Sequence, residues 1–522
     1  MPRPLTDRIE HVVVLMLENR SFDNIFGGLH PALTRQGLFR GLLGNETNPL
    51  DPANPSAGSV SVFQGAPASS TWIMPYPDPG ELYSDMVQQI FGSSSTALPS
   101  GVSPPMSGFA WNYGQQPASP AGHGSPAVSP LPANIMQYYS AASLPVSAFL
   151  GLQYAVCDAW FASGPVQTLA NRVFAHCGTP TRVPGTNDSR INNPDFTSNI
   201  KVPFKPPVTD TTIFELLDDA FPQHKAPACS DLHDPSVTLN WKVYYHDAPL
   251  SALCKYVYDR WCFDYLFGGN VFGFHEKARD ETNLEYDIRT NSLPKYSFIE
   301  PRYSDFFGGT VNSSHPGGAG LDFGDLNGES LPPPISVLDG ERLLSQVVGI
   351  LLKYPNTFDR TLLIVTYDEH GGLFDHVPPP PAVSPFRPPV SNFGYDRYGV
   401  RVPVLLINPS ITPGAVYPPR QAYASIPNPP FDHTSILSTL IAQFGLSGNL
   451  TPRVAQAPQL TGLVPSSPVH YSRPPLPDLP PAAAPAPVQR RLGQAMGGLP
   501  SLAGALGLLC PMAEAARRKR SF

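Results

Sequence analysis

The chain has 522 residues, ample apolar material at 41%, and 34 Lys and Arg against 41 Asp and Glu, a net charge of −7. A charged fraction of only 14% with an acidic balance excludes a dedicated nucleic-acid binder, which needs a basic face. The 43 Gly and 65 Pro predict a globular protein with many irregular loops rather than a disordered one. The first predicted element is the apolar run His11–Leu17. It does not alternate, so it suits a strand buried on both faces, as in a parallel sheet covered by helices. It ends at Glu18-Asn19-Arg20-Ser21.

Residues from about 45 to 130 are rich in Gly, Ser and Pro and read as a surface excursion with small helices such as Glu81–Phe91. Thr212–Ala220 has helical spacing; residues 300 to 336 form a second excursion. Asp339–Lys353 places Leu343, Leu344, Val347, Val348, Leu351 and Leu352 on a helical face. A second buried-type strand, Thr361–Tyr367, stops at Asp368-Glu369-His370-Gly371-Gly372. A third, Val400–Ile407, carries Pro403, which favours an edge position or a strand start. Asp432–Phe444 reads as a helix with Gly445 after its end. Strands alternating with helices predict an α/β fold with a mainly parallel sheet.

The expected division is a catalytic domain over 1–463, then a Pro/Ala-rich linker or extended arm and a tail ending in Arg517-Arg-Lys-Arg520. No apolar run reaches the roughly 18–20 residues that span a bilayer. No signal peptide is visible, so the expected location is cytoplasmic, with secretion as the alternative. The six Cys (157, 177, 229, 254, 262, 510) form no CxxC pair and read as reduced core residues.

Chemistry concentrates at two strand ends, where Glu18, Asn19, Asp368 and Glu369 follow apolar runs. Open α/β sheets bind ligands outside the carboxyl ends of their strands. Carboxylates gathered there repel one another unless a cation or protons separate them. All-oxygen donors favour a divalent Mg, Ca or Mn ion. Any one of these residues by itself reads equally as a helix cap or a solvated strand end.

Several blocks make the sequence similar to a known family: Ile9–Gly27, Pro77-Asp-Pro-Gly-Glu81, Cys157–Ser163 continued by Val166–Arg172, Trp241–Asp247, Tyr296–Arg302, Thr366–His376 and Phe431–Ser435. The chain resembles, over about residues 8 to 460, the bacterial phosphoesterases that include phosphatidylcholine-hydrolysing phospholipases C and a branch of acid phosphatases. That resemblance implies an alkaline-phosphatase-like core, α/β, with long Pro/Gly-rich excursions. It implies metal-dependent hydrolysis of a small phosphoester or phospholipid through a covalent phospho-threonine. The alternatives are an acid phosphatase acting on monoesters and a catalytically weak relative that only binds a phosphorylated ligand or lipid headgroup. Peripheral contact with lipid is compatible with the first reading.

Position by position, the resemblance implies Glu18, Asn19, Asp368 and Glu369 as metal ligands together with the nucleophile Thr168, Asn171 as a phosphate-oxygen donor, and Arg172 beside them. A Thr hydroxyl needs such activation to attack at neutral pH. His376, His433 and His246 are the acid/base candidates, His376 first, with pinning of its loop as the competing role. Two departures stand out. Asn327–Pro334 lacks the histidine that many relatives carry there, and Glu81 stands where the acid-phosphatase branch has a histidine. His315, upstream of a Gly-rich insertion, is the only substitute nearby. Such an insertion holds a catalytic group poorly, so the expectation is that the position is vacant.

Overall fold

The computed structural model describes residues 3–480, apart from 96–97, 100–101, 120–126, 198–204, 226–237, 246–248, 261–283, 304–309, 318–334, 420, 423–424 and 449. His246, Asn327–Pro334 and the tail beyond 480 lie outside the described residues.

Seven strands form the main sheet: β1 His11–Leu17, β2 Ala155–Cys157, β3 Trp241–Tyr244, β4 Tyr296–Ile299, β5 Thr361–Tyr367, β6 Leu405–Ile407 and β7 Ala415–Tyr417. Their spatial order is β7-β2-β6-β5-β1-β4-β3. β1 lies inside the sheet between β5 and β4 and is parallel to both, with Val14 opposite Ile364 on one side and Phe298 on the other. Residues 12–17 and all of β5 are buried, which explains why both strands read as unbroken apolar runs. β6 departs from expectation. It starts only at Leu405, beyond Pro403, and runs antiparallel to both β5 and β2. The sheet is thus mainly parallel with one reversed strand.

Helices cover the sheet. They include α1 Phe22–Phe26, α2 Tyr83–Phe91, α3 Pro145–Gln153, α4 Thr168–Cys177, α5 Ile213–Ala220, α6 Val337–Lys353 and α7 His433–Phe444. Their ends follow local chemistry. Thr212 accepts from the Glu215 N–H at the start of α5, and Gly445 closes α7 in a left-handed conformation. The apolar stripe of α6 buries Leu343, Leu344, Val347, Val348 and Leu351 in the core shared with β1 and β5. Among the described residues no helix is long and apolar enough to cross a membrane.

The excursion after residue 45 has more order than its composition suggests. Thr47–Pro49 pairs with Ser59–Ser61, and Phe63–Gly65 pairs with Gln137–Tyr139. Residues 465–480 are an arm bound to the domain. Arg473 donates to the carbonyls of Gln153, Pro409 and Ile411, Arg342 donates to that of Pro480, and Leu476 and Leu479 pack on the core. Cys157, Cys177 and Cys254 are buried free thiols.

Candidate active site

Parallel pairing of β1 with β5 brings the residues after Leu17 and Tyr367 to one edge of the sheet. The Asp368 N–H donates to the Leu17 carbonyl at 3.2 Å, extending the ladder by one residue. Asn19 then adopts φ +58, a left-handed conformation that asparagine tolerates. Its backbone N–H donates to Asp368 Oδ1 at 3.0 Å. Gly371, at φ +61, passes so close that a Cβ there would lie 2.4 Å from the Asn19 carbonyl oxygen. Only glycine lets the two turns meet.

α4 supplies the third wall. Thr168 is its first helical residue, with Gln167 as the N-cap, so the Thr168 hydroxyl does not cap the helix. It donates instead to Asn19 Oδ1 at 3.3 Å and is almost fully buried. One turn on, on the same face, Arg172 donates from Nε to Asp368 Oδ2 at 2.9 Å and from Nη2 to the carbonyls of Met16 and Leu17. Its Nη1 is buried without a partner. Glu18, Asn19, Thr168, Arg172, Asp368 and Glu369 therefore converge.

The electrostatics of this cluster are unbalanced. Asp368 is compensated: Oδ1 accepts from the N–H groups of Asn19 and Glu369, and Oδ2 from Arg172. Glu18 is fully buried, and neither carboxylate oxygen receives a well-formed hydrogen bond. Burial pushes it up to about 7, against the pull of His315 and Arg172. Glu369 Oε1 is likewise unpartnered, and burial, then the charges of Glu81 and Asp368, push this carboxyl well above its usual range. Unpartnered buried carboxylate oxygens beside an amide oxygen and a hydroxyl are a donor set that fits a hard divalent cation.

Three expectations change. Asn171 is not placed as a phosphate donor. Its Oδ1 accepts from the Gly164 N–H, and its Nδ2 donates to the carbonyls of Gly164 and Val166. Its polar groups are engaged in folding the loop before Thr168. His433 is fully buried with Nε2 2.7 Å from the Asp368 carbonyl oxygen and Nδ1 facing the Trp160 N–H at 3.5 Å. It braces the strand end and touches no reacting position. His376 pairs through Nδ1 and its backbone N–H with Asp23 Oδ2, in a network where Arg401 bridges Asp23 and Asp375. None of its bonds reaches Asn19, Thr168, Asp368 or Glu369, so it pins its loop.

His315 lies against this cluster. His315 is 2% exposed, with Nε2 2.9 Å from Asn19 Nδ2 and 3.5 Å from Glu81 Oε1. It is held firmly because the Glu18 N–H donates to the Ser313 carbonyl, Arg20 Nε to that of Ser314, and the Gly317 N–H to that of Pro75. The Gly-rich insertion follows this strap rather than carrying the histidine. Asp78 and Glu81, not foreseen as site residues, complete this side, with Glu81 accepting from Asn19 Nδ2 at 2.6 Å. The departure already noted in Pro77–Glu81 was the signal that pointed to them.

A mainly parallel sheet whose carboxyl edge gathers a buried hydroxyl, an arginine and uncompensated carboxylates is an arrangement suited to a hydrolytic α/β enzyme. The Phosphoesterase family model matches residues 9–447. The chain belongs to that family and is a hydrolase acting on phosphoester bonds. It is 31% identical over 463 residues to non-specific phospholipase C1 of Arabidopsis thaliana, covering 87% of this chain and 71% of that protein. It is 26% identical over 494 residues to phospholipase C A of Mycobacterium tuberculosis, covering 85% and 74%. Among solved structures, it matches a protein in the alkaline phosphatase superfamily from Vibrio parahaemolyticus with a TM-score of 0.30 and 13% identity, over 60% of this chain and 64% of that one.

Proposed function

We propose that the chain cleaves phospholipid phosphodiesters in the manner of a phospholipase C, with Thr168 as the phosphoryl acceptor. The observation that carries this reading is the Thr168 hydroxyl itself: buried, at the first position of a helix, bonded to Asn19 and one turn from Arg172. The helix N-terminus favours an anion at this point, and Arg172 Nη1 is a donor still without a partner. As the Thr168 oxygen bonds to phosphorus it loses its proton. The bond from phosphorus to the glycerol oxygen breaks, and the diacylglycerol leaves with a proton. Water then cleaves the phospho-threonine and restores the hydroxyl. Glu18, Asn19, Asp368 and Glu369, with the Thr168 hydroxyl, would hold a divalent ion, which when bound lowers the hydroxyl pKa and offsets phosphoryl charge. Arg172 and Asn171 keep Thr168 and Asp368 in register without touching the leaving group. Similarity to plant and mycobacterial phospholipases C supports the substrate class.

The test measures release of phosphocholine from phosphatidylcholine vesicles, alongside acid-quenched mass spectrometry of the Thr168 peptide. Thr168→Ala should abolish turnover and the phosphorylated peptide, while Thr168→Ser retains part of both. Full turnover by the Ala variant would refute the covalent route, and turnover only on monoesters would refute the substrate class.

A further inference from the structure

We infer that Glu81 and His315 are positioning residues that hold the Asn19 amide with its oxygen toward Thr168 and the cation donors, an inference that rests on the reading of Asn19 Oδ1 as a ligand. An amide side chain carries an acceptor oxygen and a nitrogen with two hydrogens, and its neighbours decide which end faces which way. At Asn19 both neighbours of the nitrogen are acceptors. Nδ2 lies 2.6 Å from Glu81 Oε1 and 2.9 Å from His315 Nε2, so each hydrogen has a partner of its own. Oδ1 is left to face the Thr168 hydroxyl at 3.3 Å. Turning the amide over would set Oδ1 against the Glu81 carboxylate and aim the N–H groups at the cation donors. Facing acceptors repel, and an N–H in the place of Oδ1 would repel an ion.

Both acceptors are themselves fixed. His315 Nδ1 sits 2.6 Å from the Pro316 carbonyl oxygen, which places the ring proton on Nδ1 and leaves the Nε2 lone pair for Asn19. Burial opposes a charge on His315, whereas the Glu81 and Asp78 carboxylates outweigh it and pull the ring toward protonation. A proton on Nε2 would put two donors face to face across 2.9 Å, so the neutral ring is the form that matches the Asn19 contact. Glu81 is an acceptor in either case and makes the shorter contact. It is anchored through its chain neighbours. Gln89 Nε2 donates to the Gly80 carbonyl at 2.7 Å, the Leu82 N–H to Asp85 Oδ2 at 3.2 Å and the Tyr83 N–H to Asn192 Oδ1 at 3.0 Å. The Asn19 backbone is placed separately, by its N–H on Asp368 Oδ1. Loss of Glu81 therefore frees the amide while the Asn19 main chain keeps its own anchor.

The experiment measures the Mn²⁺ affinity of metal-stripped full-length protein by titration calorimetry. Glu81→Leu and His315→Leu should each weaken binding by roughly 10- to 100-fold, the usual effect of losing a group that orients a metal ligand. Glu81→Gln keeps an oxygen acceptor without the charge and should stay within about threefold of wild type. In an Asn19→Asp background, where oxygens face both ways, Glu81→Leu should cost no affinity; comparing the two backgrounds isolates the coupling between the residues. Undiminished affinity in either Leu variant would overturn the inference and leave the reading of the donor set in place. So would an equal loss in Glu81→Leu and Glu81→Gln, which would make the charge the effective property, or an equal loss from Glu81→Leu in both backgrounds, which would mark a purely structural role. Failure of the wild type to bind Mn²⁺ would overturn the donor-set reading and this inference with it.

Discussion

Replacing Asn171 separates a residue that binds phosphate from one that builds the loop. Asn171→Ala removes three hydrogen bonds and leaves the Gly164 N–H and the carbonyls of Gly164 and Val166 buried without their partner. Unsatisfied buried groups cost roughly 1–3 kcal/mol each, and carbonyls tolerate the loss better than N–H groups. The combined destabilisation is therefore about 3 kcal/mol. Unfolding entropy of about 2.1 cal/mol/K per residue, over the roughly 440 residues of the family match, gives about 0.9 kcal/mol per degree. Calorimetry should then show Tm falling by about 3 °C. Asn171→Asp, which keeps the size but loses the donor, should fall comparably. A Tm within about 1 °C of wild type, combined with a turnover loss of about 100-fold or more, would refute the structural role and restore the phosphate-donor reading.

Three other outcomes follow. Metal-stripped protein should gain stability on adding a divalent ion, by about 2.7 kcal/mol at a hundredfold excess over Kd; Glu18→Gln should show a smaller Tm rise in a thermal-shift titration. Burial opposes the charged form of His376, but the Asp23 carboxylate outweighs it and raises His376 above 6.5, while His376 and Arg401 overcome burial to lower Asp23 below 3.8. The stability carried by His376 is thus complete below pH 6.5 and declines as pH rises through its native value, and that of Asp23 declines only on acidification below 3.8. A Tm profile from pH 5.5 to 9 should show the alkaline decline in wild type and a flatter limb in His376→Gln; equal slopes would count against the pair. Arg473→Ala should make residues 465–480 much more susceptible to limited proteolysis, since three carbonyl contacts hold them.

The strands that carry the site were legible because central parallel strands are apolar on both faces: His11–Leu17 and Thr361–Tyr367 match their expected bounds. The short strands β2, β3 and β7 offered three or four residues each, too few to stand out from neighbouring loops. The reversal of β6 has no local signature, because direction is set by the chain's route and not by its side chains. The same limit applied to the histidines. His376 and His433 follow an aspartate in blocks that resemble the family's, yet their partners, Asp23 and the Asp368 carbonyl, are distant in sequence. His315 looked remote because an insertion follows it, whereas its place is set by hydrogen bonds to the end of β1. Residue type announced a carboxylate cluster; only the fold decided which atoms were already satisfied.

The arm formed by residues 465–480 carries a consequence for how the chain is completed. Arg473 closes onto Gln153, a residue made 320 positions earlier, as well as onto Pro409 and Ile411 beside β6. During synthesis the sheet can assemble before this arm exists, but the carbonyls at its reversed strand and at the end of α3 must wait for it. A recombinant domain cut at residue 463 would reproduce that waiting state permanently, with Leu476 and Leu479 missing from the core surface they cover. One that runs through residue 480 would include every contact that the arm makes among the described residues.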